Sequence, residues 1–152
     1  MVGDERALQE RNRGKQDQEN RTIHGVVQFP AGLPEALTGG RDLADTLAGA
    51  QDCLAEALAG RMARNEPIPA PGKPGRGQRL IPVPLYLAPK LALYVFLRES
   101  GMPNTELAAR LKVSETVIRR MLNPRHATKP EKIQAALEAL GKRIVLAFDD
   151  AA

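Results

Sequence analysis

The side chains with the clearest chemical potential are polar and basic groups between residues 114 and 129. Arginine can donate two parallel hydrogen bonds to a guanine edge or to a phosphate, and small polar side chains can contact the DNA backbone. The candidate DNA-binding residues are Ser114, Glu115, Thr116, Arg119, Arg120 and Asn123 on or beside a predicted helix, and Arg125, His126 and Lys129 in the segment after it. The first group is predicted to include the base contacts and the second the phosphate contacts. The sequence does not decide which of Arg119 and Arg120 contacts a base and which contacts a phosphate.

These side chains need a rigid support, and the segment from 104 to 122, NTELAARLKVSETVIRRML, has the spacing of a helix-turn-helix. Ala108 is small where the two helices would approach, and Ser114 is expected to cap the second helix. Lys112 falls at the turn, where a left-handed backbone would cost about 1 kcal/mol. The predicted core residues are Leu107, Leu111, Val113, Val117, Ile118, Met121 and Leu122. The polar candidates then fall on the opposite side of the second helix.

Charge is divided along the chain. The net charge is +4 overall, −3 over residues 1–72, +9 over residues 73–143 and −2 over the tail. Positive charge confined to one segment suits a phosphate-binding surface, although a solvated basic face can show the same excess. A compact helical hairpin with merely solvated arginines is therefore the alternative. The cap, the small residue and the turn together favour binding to double-stranded DNA.

Catalysis has little support in the sequence. His24 and His126 lie in different blocks, and Cys53 has no neighbouring histidine. No glycine loop suited to phosphate and no metal-ligand cluster is present in the sequence. We therefore predict a protein that is not an enzyme and that has no catalytic residue, metal site or cofactor. The absence of a long apolar run and the polar first 21 residues favour a cytoplasmic protein without a membrane partner.

The composition predicts two small blocks joined by a linker. Four prolines and three glycines occupy residues 65–78 and exclude a regular element there. The predicted organisation is a disordered tail at 1–22, an amino-terminal block at 23–64, a linker at 65–78 and a helix-turn-helix domain at 79–148.

Each block is predicted to combine helices with strands. In the first, strands at 23–29 and 36–38 precede a helix from Leu43 to Arg64, which Asp42 is expected to cap. In the second, an edge strand or an extended arm at 80–85 and a closing strand at 143–148 are predicted to flank about four helices. The expected end signals of these helices are Pro89, Gly101, Thr128 and Gly141.

The order of these pieces resembles the HicB family of antitoxins, in the variant with a carboxy-terminal helix-turn-helix. The resemblance rests on VVQFPAGLPEALTGG and the helix that follows it, and then on IPVPLYLAPKLALY, LRESGMPNTELAARLKVSETVIRRMLNPRHATK and IQAALEALGKRIVLAF. It extends from about Val26 to Phe148. It implies an α+β fold with a partial ribonuclease-H-like β-β-α domain. That domain lacks its first strand, because the polar stretch RNRGKQDQENR stands in its place.

The resemblance also implies a function. The amino-terminal domain would have no nuclease activity and would block a HicA-type toxin that cleaves messenger RNA. The second domain would bind the operator of its own operon and repress it, as a homodimer or higher homo-oligomer, because half-sites lie about 34 Å apart. A stand-alone transcriptional regulator with a degenerate toxin-binding domain is the alternative that the sequence leaves open.

Overall fold

The computed structural model describes residues 42–70, 76 and 80–145, and this part of the chain is helical. Its five helices are α1 (Leu43–Ala63), α2 (Ala88–Ser100), α3 (Asn104–Leu111), α4 (Glu115–Leu122) and α5 (Pro130–Ala139). The helix predicted from Leu43 is confirmed, as are four helices after residue 79.

The predicted α+β fold, with its partial ribonuclease-H-like domain, is wrong: the described residues contain no strand or sheet. Residues 80–84 lie outside any helix or strand, because Pro82 and Pro84 have no N–H to donate to a neighbouring strand. Residues 143–145 are likewise not a strand. Their β-branched side chains favour extended backbone, but a ladder needs a second strand. The strands predicted at 23–29 and 36–38 lie outside the described residues.

The chain divides into two compact units, the first comprising residues 1–54 and 71–82. Within its described part, Asp42 caps the start of α1 as predicted: its Oδ1 accepts a hydrogen bond from the Asp45 N–H at 2.9 Å. The buried Thr46 hydroxyl donates to the Asp42 carbonyl at 2.7 Å. Further along α1, the Gln51 amide donates to the Pro82 carbonyl at 3.1 Å.

The second unit comprises residues 55–70 and 83–152, and α2 to α5 form its core. Helix α2 packs on α4 and α5, and α3 packs on the same two helices. The buried residues of this core are Leu93, Leu97, Leu107, Ala108, Ile118, Met121, Ile133, Ala136 and Leu137. All are aliphatic or small, and close packing of such side chains fixes the relative positions of the four helices.

Most of the predicted helix ends in this unit are confirmed. Gly101 ends α2 with φ 66°, Gly141 follows α5 with φ 72°, and Pro89 lies in the first turn of α2. The predicted cap at Thr128 is wrong, because Lys129 occupies the N-cap position of α5. The Thr128 hydroxyl instead accepts a hydrogen bond from Lys90.

The residues that directly follow α1 are hydrogen-bonded to α2 within this unit. The Tyr94 hydroxyl donates to the Glu66 carbonyl at 2.6 Å, and Arg98 donates to the carbonyl and side-chain oxygens of Asn65 at 2.9 and 3.0 Å. Asn65 has φ 54°, a left-handed conformation that asparagine tolerates better than most residues. The predicted linker thus begins with residues that α2 holds in place.

The turn between α3 and α4 lies at the predicted position, and its residue is left-handed. Lys112 has φ 54° and ψ 42°, and the Val113 N–H donates to the Ala108 carbonyl at 3.0 Å. Val113 was predicted to return to the core, but it is exposed.

Replacing Lys112 with glycine is expected to raise the free energy of unfolding by up to about 1 kcal/mol, because glycine adopts this conformation without a clash at Cβ. Urea unfolding monitored by circular dichroism measures the change. The same substitution at the exposed, helical Lys132 serves as a control and should lower stability by about 1 kcal/mol. A loss of stability in Lys112→Gly would contradict the assignment of strain to this turn.

Candidate nucleic-acid interface

Helix α4 has one buried and one exposed face, as predicted. Ile118 and Met121 are 0% and 3% exposed, and Val117 and Leu122 pack against the same core. The opposite side presents the exposed side chains of Thr116, Arg119 and Arg120 to solvent. Eight residues give α4 a length of about 12 Å, which is suitable for one helix lying in a DNA groove.

The start of α4 holds two more of the candidate residues. Ser114 occupies the predicted N-cap position with an extended backbone, but its side chain makes no capping hydrogen bond. The half-buried Glu115 accepts a hydrogen bond from Arg119 Nε at 3.0 Å, one helical turn away. This hydrogen bond lowers the pKa of Glu115 and raises the pKa of Arg119. Both side chains are therefore charged at neutral pH.

Arg119 and Arg120 differ in their surroundings although both are exposed. The Arg119 guanidinium lies along the helix surface against Glu115, so a base or phosphate would have to share it or displace the carboxylate. No hydrogen bond or ion pair of the Arg120 side chain occurs among the described residues, and it extends into solvent unrestrained.

The segment after α4 is folded into a turn. Asn123 Oδ1 accepts a hydrogen bond from the Arg125 N–H at 2.9 Å, and the Asn123 carbonyl accepts one from the His126 N–H at 3.1 Å. His126 and Lys129 are exposed. The Arg125 guanidinium reaches Glu56 at 3.1 Å, with both side chains more than 70% exposed. Such an exposed ion pair is weak and leaves Arg125 available to a stronger anion.

The nine candidate residues therefore form two groups. One lies on the outer face and at the start of α4, and the other lies in the turn beyond its end and at the N-cap of α5. Both groups are attached to the same core through α4 and α5, so they are held at fixed positions relative to each other.

Sequence reasoning missed Lys90, which connects these groups to α2. Its side chain is 4% exposed, and its ammonium donates to the carbonyls of Met121 and Asn123 at 3.2 and 2.9 Å and to the Thr128 hydroxyl at 3.1 Å. Burial lowers the pKa of this lysine. A signal was present: Lys90 precedes Leu93, Tyr94 and Leu97 at spacings of three, four and seven, which places all four on one helical face.

The described residues offer no candidate for a metal centre or a membrane-spanning helix. Within residues 42–70, 76 and 80–145, no group of three histidine, cysteine, aspartate or glutamate side chains could hold a metal ion. None of the five described helices combines the length and apolar character needed to cross a membrane.

Comparison with known proteins identifies relatives over most of the chain. No family model matches. Antitoxin HicB of Escherichia coli (strain K12) is 37% identical over 114 residues, which cover 75% of this chain and 83% of the relative. Antitoxin HicB 2 of Photorhabdus laumondii is 37% identical over 121 residues, covering 80% and 85%. Antitoxin HicB of Pseudomonas fluorescens is 33% identical over 123 residues, covering 80% and 84%. At this identity and coverage, the chain belongs to the HicB family of antitoxins.

Proposed function

We propose that this protein neutralises a HicA-type, mRNA-cleaving toxin and represses its own operon by binding operator DNA. The observation that carries the proposal is the 33–37% identity to HicB antitoxins over at least three quarters of the chain. A role as the antitoxin of a toxin-antitoxin pair follows from the family. The toxin class and the operator binding are proposed in addition to that role.

The DNA-binding half of the proposal is supported by α3, the turn and α4. In a helix-turn-helix, the second helix enters the major groove and places its outward side chains against base edges. Thr116, Arg119 and Arg120 occupy that outward face here, and Glu115 and Asn123 lie at its two ends. The net charge of +9 over residues 73–143 would attract the phosphate backbone.

The toxin-binding half is assigned to the amino-terminal block of residues 23–64. The net charge of −3 over residues 1–72 would complement a small basic toxin that acts on RNA. A protein with these two partners would act in the cytoplasm and needs no catalytic residue, metal or cofactor of its own. A homodimer or higher homo-oligomer would place two α4 helices on successive operator half-sites.

Co-expression with the open reading frame adjoining its gene tests the proposal. We expect the tagged protein to retain a small basic partner through purification and to restore growth when that partner is induced. The purified protein should shift a duplex taken from upstream of its own gene, but not an unrelated duplex at the same salt concentration. A shifted duplex without a toxin partner would leave a stand-alone transcriptional regulator with a degenerate toxin-binding block. Failure of both tests would contradict the proposal altogether.

A further inference from the structure

The buried ammonium of Lys90 closes the segment from Asn123 to Thr128 into a loop. Its acceptors are the Asn123 carbonyl where the loop begins, the Thr128 hydroxyl where it ends, and the Met121 carbonyl in the last turn of α4. A lysine ammonium has three protons, so these three acceptors satisfy it completely. One nitrogen atom therefore holds both ends of the loop against α2.

This arrangement has an energetic reason. Lys90 lies in the first turn of α2, where a positive charge is unfavourable to the helix dipole, and its burial removes water from the charge. The Met121 carbonyl compensates, because it lies in the last turn of α4, has no partner within its own helix and carries partial negative charge. Loss of the ammonium would leave the Met121 carbonyl without this hydrogen bond at the end of α4.

The loop held in this way carries the proposed phosphate contacts. Inside it, Asn123 Oδ1 binds the Arg125 N–H and the Asn123 carbonyl binds the His126 N–H, so the backbone of both basic residues is oriented by Asn123. Lys90 in turn fixes the Asn123 carbonyl. The position of Arg125 and His126 relative to the outer face of α4 thus depends on Lys90.

We propose that Lys90 is a positioning residue for DNA binding, which holds the loop of residues 123–128 in register with α4 so that phosphate and base contacts form together. This inference rests on the proposed operator binding. Lys90 does not itself touch DNA, because its side chain is buried in the core-facing side of α2.

A double-mutant cycle tests the proposal, with the full-length protein and the duplex from upstream of its gene as the probe. Lys90→Met should weaken binding about tenfold in the otherwise unchanged protein, but less than about twofold when Arg125 and His126 are already alanine. In Lys90→Met, the DNA-binding constant should also depend less steeply on salt concentration, by the amount expected for the loss of about one to two phosphate contacts. Lys132→Met removes an exposed lysine on α5 and serves as the control for loss of charge.

Thr128→Val keeps the shape of the side chain and removes the hydroxyl at the far end of the loop, which accepts from Lys90 at 3.1 Å and donates to the His126 carbonyl at 3.5 Å. It keeps the proposal testable even if Lys90→Met fails to fold, and its smaller loss of affinity should also vanish in the Arg125→Ala/His126→Ala background. Equal losses in both backgrounds, for either variant, would overturn the positioning role. If the unaltered protein does not bind the upstream duplex, the proposed operator binding itself fails. Amide hydrogen exchange on the free protein then still tests Lys90, because exchange at residues 123–128 should accelerate in Lys90→Met while that of α3 is unchanged.

Discussion

Replacing Arg119 or Arg120 with alanine is expected to weaken operator binding about 5- to 150-fold for whichever arginine contacts a base. The affected variant should also lose discrimination between the operator and an unrelated duplex, because a bidentate arginine contact distinguishes guanine from the other bases. Fluorescence anisotropy with both duplexes, at several salt concentrations, measures the two effects together.

The surroundings of the two arginines make the comparison informative. Arg120 is exposed and unrestrained among the described residues, whereas Arg119 is paired with Glu115 at 3.0 Å. Contact through Arg119 would require its carboxylate partner to be shared or displaced. A large loss in Arg120→Ala with a small loss in Arg119→Ala would therefore identify Arg120 as the base-reading residue.

Two other variants separate base contacts from charge effects. Lys129→Ala should weaken binding to all sequences alike. The binding constant should also depend less steeply on salt concentration, by the amount expected for the loss of about one phosphate contact. Arg64→Ala removes an exposed, ion-paired arginine that lies outside residues 114–129, and should change affinity by less than about twofold. Unchanged affinity in both Arg119→Ala and Arg120→Ala would show that the outer face of α4 is not the DNA-binding surface.

Ile118→Ala is expected to lower the free energy of unfolding by about 2–5 kcal/mol. Ile118 is 0% exposed and belongs to the core that joins α2, α3, α4 and α5. The substitution removes the transfer free energy of the lost carbons and leaves a cavity that close-packed neighbours fill only in part. Chemical denaturation monitored by circular dichroism gives the difference.

Thr116→Ala is the matched control for stability, because it truncates an exposed β-branched residue on the same helix and should change the free energy of unfolding by less than about 0.5 kcal/mol. Equal losses in the two variants would contradict the assignment of the buried and exposed faces of α4. Operator binding by Ile118→Ala should fall only as far as its folded fraction falls, which distinguishes a core residue from a contact residue.

The sequence predicted much of what local spacing controls. Leucine, alanine and methionine side chains three and four residues apart predicted α1, and the carboxylate of Asp42 predicted its start, which the hydrogen bond to Asp45 confirms. The same reasoning predicted the two faces of α4 and a turn at Lys112, whose backbone the structure shows to be left-handed. In each case the residues that decide the outcome lie within about one helical turn of each other.

The secondary-structure predictions were wrong where contacts with residues distant in the sequence, or the lack of such contacts, outweighed local preference. The residues at 143–145 have strand-forming side chains but no neighbouring strand within the described residues, so the α+β expectation was wrong. Thr128 has the right type for a cap, yet its hydroxyl is bound by a lysine from another helix. The predicted DNA-binding residues and domain boundaries stay predictions.

By itself, the sequence determined where the helices lie, which face of α4 is apolar, and that positive charge is confined to residues 73–143. The tertiary structure alone decided how the end of α4 and the loop beyond it are held. Lys90 reaches acceptors 31, 33 and 38 residues away. A helical period relates residues only a few positions apart, whereas this ammonium finds its partners because the packing of α2 against α4 and α5 brings them to one point.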